Sequence, residues 1–279
     1  MIPATEADWK LLADLLEGRF GLCFAGARRD ILEGRLQPRL EALRLDDLRA
    51  YYHYLSAHPA RDEEFGELAR RITNNETYFF RESAHFDVIL EHIVPEIRAA
   101  QANPRLRVLC AACSSGEEPH SLSILLTDSG LELTGMPWQI DACDLNPLRL
   151  EKARRATYEG LSFRACDEAV QQRCFDPDGH GGLRLKERYR RNVRFFQANL
   201  AAPCAGLGWG AYDIVLCRNL LIYFGPEAFD RLISRFAQVL VPGGYLFLGH
   251  AETLFDRATE FDAVHFPRTM AYRRLGPSL

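Results

Sequence analysis

The sequence predicts an α/β protein in which an open sheet follows an N-terminal part made of helices alone. Apolar residues recur at helical spacing as far as residue 75. From residue 106 onwards, short apolar runs typical of buried strands alternate with helical patterns, and this alternation favours parallel strands. Between Cys174 and Phe196 the alternation breaks, which predicts a small inserted antiparallel β-subdomain.

Length and composition are those of an ordinary globular protein. The 279 residues suffice for two modest domains, and 47% hydrophobic with 26% charged residues is a common balance. Lys and Arg number 34 against 38 Asp and Glu, so the net charge of −4 gives no reason to expect a nucleic-acid partner. No apolar run reaches transmembrane length, and Met1–Lys10 lacks a signal-peptide pattern. We therefore expect a cytoplasmic protein without membrane insertion.

The eight cysteines are best interpreted as reduced, buried small residues. Cys110 and Cys113 form a C-x-x-C pair, a spacing that redox and half-zinc motifs use. No second pair accompanies it, and Cys110 lies inside a predicted strand. We therefore expect no metal site.

Four helices are predicted before residue 73. Thr5 is the candidate N-cap of the first, and Asp46–Ala57 and Asp62–Ile72 supply the last two. The second helix, Arg28–Leu43, contains Pro38, which would kink or split it. Opposite its apolar stripe it carries three arginines, Arg28, Arg35 and Arg39. These are either a solvated face or a docking face for an acidic partner.

A cofactor corner is predicted where the α/β part begins. Thr73–Arg81 interrupts the helical pattern with polar and then aromatic residues, at the kind of position where ligand clefts are common. After the helix Ser83–Ala100, Leu106–Ala111 is a predicted buried strand, and small residues up to Gly116 let backbone amides approach a ligand. Strand, small-residue loop and helix form the corner that holds cofactors in open α/β sheets. One glycine, where a dinucleotide fingerprint has three, argues against a pyrophosphate.

Further strands continue the alternation. Asp144 follows the second strand, Trp138–Cys143, and is placed to accept hydrogen bonds from ribose hydroxyls. Asn146 is the predicted cap of the next helix, and the helix Glu227–Leu240 is expected to stop at Pro242. The remaining predicted strands are Val193–Gln197, Tyr212–Cys217, Tyr245–Gly249 and the hairpin Phe261–Pro267 with Thr269–Arg274.

The predicted insertion has a basic side. A turn cluster, Asp176–Gly182, precedes a stretch of period-2 alternation, Leu183–Tyr189. The alternation places Arg184, Lys186 and Arg188 on one face. Nucleic acid is not favoured, because no row of aromatic residues accompanies these charges. A protein partner that pairs with an edge strand is the better interpretation.

Four stretches carry a resemblance to a known family. They are Asn75–Glu82 (NETYFFRE), Ser114–Pro119 (SSGEEP), Asp213–Asn219 running on to Tyr223, and Gly243–His250 with Glu252. Together they resemble the CheR-type chemotaxis receptor methyltransferases, which use S-adenosylmethionine to methylate receptor glutamates. The resemblance spans nearly the whole chain and rests on joint order and spacing. Two departures are His120, where the family usually has a tyrosine, and Ala251, where a serine often precedes the glutamate.

The resemblance implies an architecture and a set of site residues. It predicts a helical domain of residues 1–82 and a Rossmann-like methyltransferase domain of residues 83–279, with the β-subdomain inserted at about residues 168–194. The cofactor-binding residues that it implies are Asn75, Thr77, Arg81, Glu118, Asp144, Asn199, Leu200, Arg218 and Asn219. It places Arg81 and Tyr223, the implied catalytic residues, nearest the transferred methyl group.

The chemistry that the resemblance implies needs no general base. A glutamate carboxylate is already ionised at neutral pH, and no Ser-His-Asp or Cys-His arrangement is found. Arg81 would hold the incoming carboxylate, because a guanidinium matches carboxylate geometry in a planar fork. The alternatives are a structural ion pair for Arg81 and an ordinary strand-end aromatic for Tyr223.

The implied partners are the cytoplasmic helices of chemoreceptors, and some family members also bind a receptor C-terminal tail through the β-subdomain. We expect the protein to be a monomer. After methyl transfer the cofactor would leave as S-adenosylhomocysteine. One alternative is a methyltransferase for RNA or a small molecule, against which stand the net acidic charge and the lack of a suitable base. The other is a scaffold without activity, which the presence of both Arg81 and Tyr223 disfavours.

Overall fold

The chain folds as an N-terminal group of helices followed by an α/β sheet. The structure is a computed structural model that describes residues 4–24, 26–73, 76–202, 208, 211–255, 257 and 260–276. The chain divides into two compact units. The helical unit comprises Met1–Asn74, Asn199–Ala205 and Leu221–Leu232, and the α/β unit comprises Asn75–Ala198, Gly206–Leu220 and Ile233–Leu279. In the ranges described, no helix is both long and apolar enough to cross a membrane.

Four helices lie before residue 73 in the described part of the helical unit: α1 (Glu6–Phe20), α2 (Ala27–Leu43), α3 (Leu48–Ala57) and α4 (Arg61–Ile72). Thr5 caps α1 reciprocally with Asp8, since each backbone N–H donates to the other's side chain, at 2.9 and 3.2 Å. Helix α2 continues through Pro38, so the predicted kink does not split it. Leu12, Leu16, Leu36, Leu48 and Leu68 of these helices are fully buried, whereas Ile31, predicted in the apolar stripe of the second helix, is 55% exposed.

The arginines of α2 are engaged within the helical unit. Arg39 Nε donates to Glu64 Oε1 at 2.9 Å, and Glu64 is 3% exposed and also accepts from the Tyr51 hydroxyl. Arg35 donates to the carbonyl of Ile72 at 2.8 Å. A buried carboxylate is stable only when it is paired, so Arg39 has a structural role. The solvated-face interpretation is therefore wrong for Arg39, whose side chain is 15% exposed, and the docking-face interpretation stays a prediction.

The α/β unit begins with one helical rod made of α5 (Ala84–Val88), a π-helical turn (Ile89–Ile93) and α6 (Val94–Ala100). Pro95 has no N–H to donate to the preceding turn. The wider π turn before it accommodates the missing helical hydrogen bond. The elements that follow along the chain are β1 (Leu106–Ala111), α7 (Glu117–Asp128), β2 (Trp138–Asp144), α8 (Pro147–Arg155), β3 (Thr157–Tyr158), α9 (Glu168–Cys174), β4 (Phe175–Pro177), β5 (Leu183–Leu185), β6 (Val193–Gln197), β7 (Tyr212–Cys217), α10 (Pro226–Val239), β8 (Leu240–Leu248), β9 (Phe261–Phe266) and β10 (Thr269–Arg274).

The main sheet confirms the predicted parallel arrangement. Over the described ranges it has seven strands in the order β6-β2-β1-β7-β8-β10-β9, with β10 antiparallel to both of its neighbours and the other pairs parallel. Ala111 pairs with Cys143 on one side and with Cys217 on the other, so three strands end side by side. The strand order reverses at β1, which is where open α/β sheets bind ligands.

One predicted boundary in this sheet is wrong. Strand β8 begins directly where α10 ends, so Pro242 lies inside the strand and does not terminate the helix. Tyr212 pairs with Leu240 whereas Ile214 pairs with Tyr245, so an irregularity lies between these pairs. Pro242 falls inside that irregularity, the kind of position at which a strand tolerates proline.

The inserted β-subdomain is a small antiparallel sheet in the order β3-β5-β4. Its strand β3 was not predicted, and the alternation predicted for Leu183–Tyr189 ends at Leu185. A 3-10 turn follows at Glu187–Tyr189 and places Tyr189 in the core of the insertion, against Phe79 and Cys174 among others. Burial of the Tyr189 ring therefore overrides the local strand pattern.

Candidate active site

The loop between β1 and α7 makes the predicted corner. Ala112, Ser114 and Gly116 have φ angles of 61°, 49° and 90°, a conformation that costs a non-glycine residue about 1–3 kcal/mol. Gly116 is the N-cap of α7, and a Cβ at this position would lie 2.8 Å from the Cβ of Ala153. Only glycine fits there. The N–H groups at the start of α7 consequently lie beside the end of β1, where they favour an anionic group.

Asp144 holds this corner from the end of β2. The residue is 6% exposed, and its two carboxylate oxygens accept from the backbone N–H groups of Ser114 and Asn146, both at 2.8 Å. Burial raises the pKa of the Asp144 carboxyl, and the two N–H donors oppose that rise. Each carboxylate oxygen has a second lone pair, so Asp144 can also accept from a ligand hydroxyl.

Arg218, which follows β7, is enclosed by carboxylates. Its side chain is 1% exposed, with Nη1 3.0 Å from Glu118 Oε2 and Nε 3.5 Å from Glu82 Oε2. Its Nη2 donates to the carbonyl of Arg81. Burial raises the pKa of Glu118, and the charge of Arg218 opposes that shift. The two carboxylates explain how a guanidinium can be buried here.

Glu82 lies at the centre of this cluster and was not predicted as a site residue. Its Oε1 is 3.0 Å from Nδ1 of His250 and accepts from Nδ2 of Asn219 at 3.4 Å. Burial acts to raise the pKa of Glu82, but the charge of Arg218 and the His250 hydrogen bond outweigh it, and the net pKa is below its ordinary value. The buried Oε2 has no hydrogen bond from the described residues, and Nε of Arg218 lies 3.5 Å from it. Glu82 is the last residue of the stretch NETYFFRE, which carries the family resemblance. Its place in that stretch was the sequence signal that could have identified it as a site residue.

Asn219 is fixed by the residues that follow β8. Glu252 Oε2 accepts from the backbone N–H groups of Asn219 and Gly249, at 2.9 and 2.7 Å. A Cβ on Gly249 would lie 2.6 Å from Asn219 Nδ2, so a larger residue would displace that amide. Asn219 itself has a φ of 59°. Glu252 and Gly249 thus hold a strained backbone that turns the Asn219 amide towards Glu82.

Arg81 is more accessible than Arg218. Its side chain is 22% exposed, with Nη1 donating to the carbonyl of Glu76 at 2.9 Å and Nε 3.9 Å from Glu82 Oε1. Its guanidinium carbon lies 5.7 Å from the centre of the Tyr78 ring. Thr77, in the same segment, is half-buried. The ion pair with Glu82 is long, so Arg81 keeps donors for a further partner.

The other predicted site residues are placed differently. Asn75 lies outside the described residues. Asn199, Leu200 and Tyr223 belong to the helical unit. There Asn199 Nδ2 donates to a carbonyl of α1 at 2.7 Å, Leu200 is 6% exposed, and the guanidinium of Arg28 lies 5.1 Å from the Tyr223 ring centre.

Within the α/β unit the structure brings four predicted residues, Arg81, Glu118, Arg218 and Asn219, around Glu82. Burial, and after it the charge of Asp144, raises the pKa of the Cys113 thiol. The pKa of Cys110 is likewise raised by burial. A thiol with a raised pKa is a poor nucleophile and a poor ligand, so burial disfavours redox or metal chemistry at the C-x-x-C pair.

These features define a class of protein. The corner loop, an acid at the end of β2 and the carboxylates of Glu82 and Glu118 suit a cofactor that has ribose hydroxyls and cationic groups. S-adenosylmethionine has both, through its ribose, ammonium and sulfonium groups. The fold and site are therefore those of a Rossmann-like S-adenosylmethionine-dependent methyltransferase.

Comparison with known proteins places the chain in a family. Residues 75–270 match the CheR methyltransferase SAM binding domain, and residues 7–73 match the CheR methyltransferase all-alpha domain. The chain is 33% identical over 276 residues to chemotaxis protein methyltransferase 1 of Pseudomonas aeruginosa, covering 97% of this chain and 98% of the relative. It is 33% identical over 260 residues to the chemotaxis protein methyltransferase of Salmonella typhimurium (92% and 87%) and 30% identical over 271 residues to chemotaxis protein methyltransferase 2 of Vibrio cholerae (97% and 94%). The chain belongs to the CheR methyltransferase family, which confirms the resemblance, and its cofactor is S-adenosylmethionine.

Proposed function

We propose that this protein transfers the methyl group of S-adenosylmethionine to glutamate side chains of chemoreceptors, for sensory adaptation. The products are glutamate methyl esters and S-adenosylhomocysteine. The observation that carries the proposal is the contrast between two arginines, since Arg218 is enclosed by Glu82 and Glu118 whereas Arg81 keeps exposed donors. A partly exposed guanidinium beside a methyltransferase corner suits a carboxylate acceptor, because it has five N–H donors and only part of them are engaged. The relatives are chemotaxis protein methyltransferases, which supports the same substrate class.

The chemistry requires alignment more than proton transfer. When bound, S-adenosylmethionine supplies an electrophilic methyl group on a sulfonium. The acceptor carboxylate is ionised at neutral pH, so no side chain has to remove a proton. Water stabilises the two opposite charges that combine in the reaction, so excluding water and aligning the groups supply most of the rate. Arg81 holds the carboxylate, and the Tyr223 hydroxyl orients the reacting groups.

The cofactor is proposed to lie against nine residues: Asn75, Thr77, Arg81, Glu118, Asp144, Asn199, Leu200, Arg218 and Asn219. Asp144 accepts from the ribose hydroxyls, because it ends β2 next to the corner. Glu82 and Glu118 place negative charge where the cofactor carries positive charge. Their ion pairs with Arg218 keep these carboxylates fixed in the absence of a ligand.

The proposed partners and setting are those of a receptor-modifying enzyme. The substrate is a cytoplasmic chemoreceptor helix, approached by a monomer in the cytoplasm, without nucleic acid or membrane insertion. A receptor C-terminal tail would pair with an edge strand of the β-subdomain, and β4 is such an edge. We also propose a domain boundary after residue 82, which limited proteolysis followed by mass spectrometry tests.

Methyl-labelled S-adenosylmethionine and receptor cytoplasmic fragments test the function directly. We expect label on the receptor that is released as methanol by mild base, because carboxylate esters are base-labile. The matched control is the same fragment with its methylatable glutamates changed to glutamine, which should accept no label. Label that is stable to base, label on RNA or a small molecule, or receptor binding without transfer would each contradict the proposal.

A further inference from the structure

A tyrosine of the inserted β-subdomain reaches the loop that forms the cofactor corner. Tyr158, the second residue of β3, is 1% exposed, and its hydroxyl donates to the carbonyl of Ser115 at 2.9 Å. Pro119, four residues after Ser115, has no N–H that could reach this carbonyl. A Cβ on Gly116 would lie 3.1 Å from the same hydroxyl, so Tyr158 lies directly against the loop backbone.

His120 of α7 orients the Tyr158 hydroxyl. Its Nδ1 lies 2.8 Å from the hydroxyl oxygen, and the histidine is 1% exposed. The single hydroxyl proton goes to the Ser115 carbonyl, because a carbonyl oxygen can only accept. The hydroxyl oxygen must then accept from His120, which assigns the proton of this imidazole to Nδ1. The three groups form one buried row that ends at the corner loop.

The turn that follows β3 makes a second connection to the corner. Ser162 Oγ donates to Glu117 Oε1 at 2.9 Å, and Ser115 Oγ donates to Glu117 Oε2 at 2.8 Å. Glu117 is the first residue of α7 and is 1% exposed. A buried carboxylate needs such donors, so Glu117 ties the turn to the corner loop.

The same turn also holds the segment that carries Arg81. The backbone N–H of Phe79 donates to the carbonyl of Ser162 at 2.9 Å. The Phe79 ring is fully buried, with its centre 4.8 Å from that of Tyr158 and 5.4 Å from that of Phe163. Residues 158–163 therefore contact both the corner loop and the backbone two residues before Arg81.

We propose that Tyr158 and Ser162 are positioning residues for the cofactor, so that the β-subdomain builds part of the cofactor site. The corner loop has positive φ angles at Ala112, Ser114 and Gly116. Without the two bonds the loop would have to adopt this strained conformation during binding, and the affinity would fall accordingly. The proposal rests on the cofactor site proposed above and not on the identity of the methyl acceptor.

Calorimetric titration with S-adenosylhomocysteine tests Tyr158→Phe against Tyr189→Phe. Tyr189 is equally buried, but its hydroxyl donates to Asp128 at the opposite end of α7. We expect about tenfold weaker binding by Tyr158→Phe, since one hydrogen bond to the loop is lost. Tyr189→Phe should bind as the unmodified protein does. Urea unfolding checks that both variants are folded during the titration, because a purely structural bond would change stability and not affinity.

Ser162→Ala removes the second connection without altering the aromatic packing. Its matched control is Ser123→Ala, a fully buried serine of α7 whose hydroxyl donates to the carbonyl of Tyr189. Ser162→Ala should weaken binding about threefold, and Ser123→Ala should not. Because the readout is binding and not methyl transfer, a wrong receptor assignment would leave these differences unchanged.

Nitrogen NMR of the ligand-free protein tests the row itself, with the His120 signals assigned by their absence in His120→Gln. We expect a protonated Nδ1 and an unprotonated Nε2. A proton on Nε2 alone would overturn the proposal, because Tyr158 would then donate to His120 and not to Ser115. Unchanged affinity in both Tyr158→Phe and Ser162→Ala, or equal losses in their matched controls, would overturn it as well.

Discussion

The guanidinium of Arg218 lies 3.0 Å from the carboxylate of Glu118, and the arginine side chain is 1% exposed. The pair joins the end of β7 to the first turn of α7. A buried ion pair gains little over an apolar pair of the same shape, but removing one partner leaves an uncompensated charge. The two residues are consequently coupled in stability as well as in their proposed contact with the cofactor.

Arg218→Met should lower the free energy of unfolding by about 3–5 kcal/mol, because it leaves Glu82 and Glu118 without their shared cation. Urea unfolding of the ligand-free protein measures this. Arg231→Met, at a side chain that is 58% exposed, is the control and should change stability by less than about 0.5 kcal/mol. Similar losses of unfolding free energy in the two variants would show that the buried ion pair contributes no more to stability than an exposed one.

Arg81→Ala should reduce methyl transfer more than cofactor binding, since the guanidinium is proposed to position the acceptor. We expect kcat/KM for a receptor fragment to fall at least about 100-fold, and the affinity for S-adenosylhomocysteine to fall less than about tenfold. Arg164→Ala is a matched control, because Arg164 lies over the same Tyr78 ring at 3.6 Å. Equal losses of activity and affinity in Arg81→Ala would make Arg81 a binding residue only.

Asp144→Ala should weaken S-adenosylhomocysteine binding by about 1.5–3 kcal/mol, the usual contribution of a hydrogen bond to a charged group. The same change releases the Ser114 N–H, so the corner loop also loses an anchor. Calorimetric titration measures the affinity, with Asp176→Asn, in the β-subdomain and 67% exposed, as the control. An unchanged affinity in Asp144→Ala would remove Asp144 from the site.

Acid should destabilise the fold through two buried histidines. Burial lowers the pKa of His85 to about 4 and that of His120 to about 3, against about 6.5 in the unfolded chain. The unfolded state therefore binds more protons below pH 6.5, and stability present above that pH is lost as the pH falls towards these folded values. His120 alone should contribute a loss of about 2 kcal/mol between pH 7.5 and 5.0.

The comparison of unfolding free energies at these two pH values in His120→Gln isolates the effect. The variant should lose less stability on acidification than the unmodified protein, whereas His53→Gln, at an exposed position, should behave as the unmodified protein does. An identical pH dependence in all three proteins would show that His120 does not remain neutral in the fold.

Arg39→Ala should destabilise the protein by about 3–5 kcal/mol, because Glu64 would remain buried without its cation. Arg39→Glu should lower the free energy of unfolding further, since it places a second carboxylate against Glu64. Arg29→Ala is the control, as its partner Glu6 is 84% exposed and such pairs contribute about 0–1 kcal/mol. A receptor-binding defect in Arg39→Ala at unchanged stability would support the docking interpretation.

Local patterns were sufficient for most of the elements. The Thr5 cap, the Asn146 cap and the apolar runs of β1, β2 and β7 depend on residues only a few positions apart, and the structure has all of them. The corner loop was predictable for the same reason. Strand β3 was missed because its two residues show no pattern of their own and pair only with the distant β5.

The sequence by itself determined the fold class, the cofactor corner and, through motif resemblance, the family. Only the tertiary structure decided how the charged residues are used, because each pairing joins positions far apart in the chain. Arg39 belongs to a buried pair with Glu64, 25 residues away, and Arg218 reaches the carbonyl of Arg81 across 137 residues. A charge pattern along one helix cannot reveal such partners. Burial and the need to pair a buried charge select them only when the chain has folded.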